Sequence, residues 1–74
     1  MDKTTAELIV GALTSMISER LAEATSLAKA AEACARANNV DGAVQIVLGV
    51  DQPIYEVQTL MNATTLIHRL SRDD

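Results

Sequence analysis

Apolar residues recur at spacings of three and four from the start of the chain, the period of one face of an α-helix. Val10, Leu13, Ile17, Leu21, Ala24, Ala28, Ala31 and Ala35 mark that face, and Ile9, Met16, Leu27 and Cys34 widen it. Thr4 followed by Glu7 reads as a capping box, so a helix is expected to start at Thr4 or Thr5. No proline follows before Ala37, and the first strong stop is Asn38-Asn39, because asparagine tolerates the left-handed conformation that ends helices. The expected first helix spans about residues 5–37. Thr25-Ser26 could cap a break within it, but the unbroken pattern favours a single helix.

Two further helices are expected. Asp41 reads as the N-cap of a short one, about 42–48, with Ala43, Ile46 and Val47 on its buried stripe. The run Gly49-Val50-Asp51-Gln52-Pro53 supplies a glycine stop, a polar cap and a first-turn proline, so a break is expected there. A last helix then covers about 54–70, with Ile54, Val57, Leu60, Met61, Thr64 and Ile67 in its stripe. Ser71-Arg72-Asp73-Asp74 reads as a polar tail. The fold class is all-α: a single domain, 1–74, of one long N-terminal helix, a short second helix and a C-terminal helix. Folded as a hairpin, it would form a bundle by homodimerisation.

Size is the reason for expecting a second copy. At 74 residues the chain exposes too much surface to build a self-sufficient core easily. One cysteine excludes an internal disulfide, and one cysteine with one histidine cannot supply a four-ligand zinc site. Association is the remaining remedy. Hydrophobic residues make up 49% of the chain but aromatics only 1%, so any core must be aliphatic and rich in alanine. A 33-residue helix is about 50 Å long, more than two shorter helices cover unless laid end to end. The face expected to carry association comprises Val10, Leu13, Ile17 and Leu21, with Val57, Leu60, Met61 and Ile67, and Tyr55 as a possible anchor.

Charge and chemistry narrow the function. The net charge of −4 is concentrated after residue 37, where two basic side chains face five acidic ones. Such a surface repels phosphate backbones and anionic lipid, which argues against nucleic-acid and membrane partners. The start Met1-Asp2-Lys3-Thr4-Thr5 lacks the pattern of a secretory signal, and a single thiol fits a reducing compartment, so a cytoplasmic setting is expected. The sequon Asn62-Ala63-Thr64 then carries no meaning.

No residue set calls for catalysis or for a cofactor. His68 falls near a helix C-terminus, where a surface histidine interacts well with the dipole. Cys34 sits among alanines with no cation or helix start to activate it. Glu19 and Glu23 share a solvated face beside Arg20, and no glycine-rich phosphate loop is present. The expected function is a non-enzymatic protein–protein interaction module that self-associates through aliphatic helix faces. One alternative is a small chaperone, co-chaperone or subunit that takes a client helix or hetero-partner into the same stripes.

Residues 48–55, Leu-Gly-Val-Asp-Gln-Pro-Ile-Tyr, resemble the turn of a helix-turn-helix motif, which implies a DNA-binding regulator using residues 41–62. Gln45 and Tyr55 depart from that pattern, standing where small and aliphatic residues are needed. The supposed recognition helix offers no lysine or arginine before Arg69.

Overall fold

In a computed structural model, which describes residues 1–72, the chain is two long helices joined by a three-residue turn. Helix α1 spans Lys3–Arg36 and helix α2 spans Val40–Arg72. They lie antiparallel along each other in a rod of 56 × 14 × 11 Å.

The caps explain where the helices begin and end. Asp2, rather than Thr4, caps α1: its Oδ2 accepts from the Thr5 amide at 3.1 Å and from the Thr5 hydroxyl at 3.2 Å. The acid two residues earlier satisfies the free amides first. At the other end Asn38 adopts φ 63°, the left-handed conformation expected of it. The Asn39 amide donates to the Cys34 carbonyl at 2.8 Å and the Asn38 amide to the Ala35 carbonyl at 3.0 Å, a Schellman closure. Asn39, not Asp41, then starts α2, with its Oδ1 accepting from the Gly42 amide at 3.0 Å. One asparagine ends a helix and the next begins another, with Ala37 as the C-cap before them.

The break expected at Gly49–Pro53 does not form, and α2 runs through it. The two helices expected at 42–48 and 54–70 are therefore one, and the turn that a helix-turn-helix needs is absent from residues 41–62. Proline inside a helix removes one hydrogen bond and crowds the carbonyl four residues earlier. That residue here is Gly49, exposed and with open space where a Cβ would stand, so water can satisfy its carbonyl. Pro53 itself is buried against α1's side of the rod, and this packing offsets the lost bond. Helix α1 is continuous through Thr25-Ser26, as the pattern favoured. With 34 and 33 residues, the two helices match in length, which removes the mismatch expected from three unequal helices.

The seam between them follows a strict alternation of three and four. On α1 it runs through Ala6, Val10, Leu13, Ile17 and Arg20, then Ala24, Leu27, Ala31 and Cys34, all buried or half-buried. On α2 it runs through Ala43, Ile46, Val50, Pro53 and Val57, then Leu60, Thr64, Ile67 and Ser71, again all buried or half-buried. A repeat of seven residues over two turns keeps one narrow stripe on the partner helix, the pattern of an antiparallel coiled coil. The large aliphatic side chains of the stripe stay mostly half-buried. Only Ala6, Ala24, Ala31, Pro53 and Val57 count as buried among the described residues, and no large side chain is fully enclosed.

Candidate interaction surface

The seam leaves two flanks. On one flank, two rows of residues spaced by seven run beside it. The α1 row is Glu7, Thr14, Leu21, Ala28 and Ala35, and the α2 row is Val40, Val47, Ile54, Met61 and His68. Ala28 and Ala35 share a groove of about 630 Å³ with Val47 and Ile54 near the turn. Glu7 and His68 share a second groove near the chain ends. The rows therefore face the same way.

This flank is the aliphatic one. Leu21 is 45% exposed, Val47 56%, Ile54 46% and Met61 50%, and Val40 and Val44 are exposed beside them. These six are half of the large hydrophobic side chains left in solvent among the described residues, and they form one strip. Scattered exposed leucines are ordinary, whereas a continuous strip of this kind is not. It fades towards the chain ends, where Glu7, Thr14, Thr65 and His68 replace the aliphatic residues.

The opposite flank carries polar chemistry at mid-length. Arg20 occupies a seam position, lays its stem across the contact, and donates from Nη1 to Glu56 Oε2 at 3.4 Å. Glu19 and Glu23 each approach the same guanidinium at 3.7 Å, and Gln52 Nε2 donates to Glu56 Oε1 at 3.0 Å. Arg20 and Glu56 are about one-third exposed and Glu19 and Glu23 more than half, so water screens the cluster and its net contribution is small. It can fix register, since no other height along the seam offers Arg20 a carboxylate on α2.

The residues singled out from the sequence divide between these places. Val10, Leu13, Ile17, Val57, Leu60 and Ile67 lie in the seam, joining the two helices of one chain. Leu21 and Met61 lie exposed on the aliphatic flank. Tyr55 points away from the seam, 67% exposed, over a shallow groove shared with Met16 and Thr59. Cys34 is a half-buried free thiol at the turn end of the seam. His68 is exposed at the far end of the flank, beside Glu7 and Ser71. Val47, Ile54 and Ala28 belong to the flank but not to the set chosen from the sequence. A strict count of seven from Leu21 and Met61 would have reached all three.

Among the described residues, no three His, Cys, Asp or Glu side chains gather as metal ligands, and no helix is long and apolar enough to cross a membrane. The chain matches no family model, no curated protein and no solved structure.

Proposed function

We propose that this chain is a protein–protein interaction module, without catalytic chemistry of its own, that self-associates through aliphatic helix faces. The observation carrying the reading is the exposed strip of Leu21, Val47, Ile54 and Met61 beside a seam that fully encloses no large side chain. Surface area gives it a scale. The accessible surface is 5336 Å², whereas a compact folded monomer of this mass exposes ~4,400 Å². The excess of roughly 900 Å² is close to the ~800 Å² that each partner contributes to a standard interface. A second hairpin laid on the aliphatic flank would turn a two-layer rod into a four-helix bundle and give both copies a shared core.

The test is the solution mass by light scattering coupled to size exclusion, with circular dichroism and thermal unfolding on the same sample. A helical dimer whose unfolding temperature rises with protein concentration is the expected result. A well-folded monomer at all concentrations would overturn the reading. A poorly helical monomer would also overturn it and leave a hetero-partner as the way the core is completed.

A further inference from the structure

We infer that the partner on the aliphatic flank is a second copy placed with its turn at the same end, so that α1 of each copy lies against α2 of the other. This inference rests on the self-association proposed above. Two copies joined face to face by a twofold axis have two choices. An axis along the rod sets α1 on the other copy's α2, with both turns together. An axis across the rod sets α1 on α1 and α2 on α2, with the turns at opposite ends.

The two rows of the flank discriminate between these. The Arg20–Glu56 bond across the antiparallel seam sets the relative height of the helices, placing Ala28 about level with Val47 and Glu7 with His68, and each pair also borders one groove. The constant spacing of seven then sets Leu21 level with Ile54. With the turns together, each small or acidic residue of one α1 meets its counterpart on the other copy's α2. Ala28 receives Val47, Leu21 meets Ile54, and the Glu7 carboxylate meets the His68 imidazole as acceptor and donor. Val47 falls over Ala28 and Val40 over Ala35, large over small as helix faces interlock, while Leu21 and Ile54 bring two large aliphatic side chains together. The aliphatic turn-proximal halves also coincide, as do the polar halves around Thr14, Thr65 and His68.

With the turns opposed, these matches are lost. Ala35 of one copy would lie over Glu7 of the other, and Val40 over His68, while Val47 would meet Met61. Val40 would face the polar end instead of Ala35, and the glutamate would lose its imidazole counterpart.

The experiment is a pulsed electron-spin distance measurement on one labelled site. The Ala33→Cys variant in a Cys34→Ala background places a spin label on an exposed helix position near the turn, away from the aliphatic flank. The mass of the labelled protein is measured alongside. A dimer with a label separation within about 30 Å, the width of a four-helix bundle, is expected. A dimer with a separation of roughly 45 Å would overturn this arrangement while leaving self-association in place, because Ala33 lies ~20 Å from the rod's midpoint. A monomeric mass would remove the self-association itself, and the arrangement with it.

Discussion

Arg20 crosses the seam at mid-length and donates to Glu56, 3.4 Å away, from a position that every other turn of α1 fills with an aliphatic side chain, an alanine or the Cys34 thiol. A charge in such a position restricts register more than it adds stability. Replacing it with an aliphatic residue of similar length should therefore help the fold. Arg20→Leu is expected to raise the stability to urea by about 1 kcal/mol, since it adds apolar contact while losing a screened pair. Glu56→Gln should cost less than ~1 kcal/mol. A loss of more than ~2 kcal/mol in Arg20→Leu would mean that the ion cluster, not the aliphatic seam, holds the helices together.

Leu13 and Leu21 look interchangeable in sequence but occupy different surfaces. Leu13 is half-buried in the seam, and Leu21 is exposed on the flank. Leu13→Asp places a charge between the two helices of one chain and should abolish most of the helical signal, because an unpaired charge there costs several kcal/mol. Leu21→Asp should leave the hairpin helical and convert the assembly to monomers. The two variants are compared by circular dichroism and light scattering under the same conditions. Equal effects on helicity would show that seam and flank form one inseparable core.

Much of this division was legible in the chain, and the reasons for the rest are specific. Both the α1 span and the Asn38-Asn39 turn followed from periodicity and capping chemistry. The seam on α1 was traced correctly as far as Ile17 and again at Ala24 and Ala31, but otherwise drifted to Leu21, Ala28 and Ala35. Arg20 caused the drift: a charge at a seam position interrupts an apolar count, and Leu21 beside it continues a period of 3.6 where the helices keep 3.5. The residues reached by that drift are the flank, so the sequence held two stripes that a single count merged. The false break at Gly49–Pro53 has a local origin too. Glycine, acid and proline form a strong stop in isolation, but burial of Pro53 along a long continuous partner outweighs local preference.

The glycines of α2 give an opposed pair of predictions. Gly49 faces open space, so Gly49→Ala should gain about 0.5–1 kcal/mol from helix propensity alone. Gly42 is different: a Cβ there would lie 2.5 Å from Asn39 Nδ2 and 2.9 Å from its Cγ. Gly42→Ala must push the Asn39 side chain off the amide it caps and should lose about 1 kcal/mol despite the better propensity. Asn39→Ala removes the same cap and should cost a similar amount. Because both act on one bond, the double variant should be little worse than either single change, which urea titration of all four proteins would reveal. Additive losses would mean that Gly42 is constrained by something other than the cap.

Ala28 offers the most direct test of what the aliphatic flank is for. It is exposed, it borders the groove shared with Val47 and Ile54, and no part of the hairpin covers it. Ala28→Trp should therefore leave each hairpin helical while filling the space that a second copy needs. Overpacking at a single site of this kind commonly costs ~1–3 kcal/mol, so dissociation should become at least about fivefold easier. Ala22→Trp is the matched control, because Ala22 is exposed on the side of α1 away from the seam and both flanks. Dilution series followed by light scattering would compare the two. If Ala28→Trp associates as tightly as Ala22→Trp, the groove between Ala28 and Val47 stays outside the contact, and the self-association must use another face of the rod.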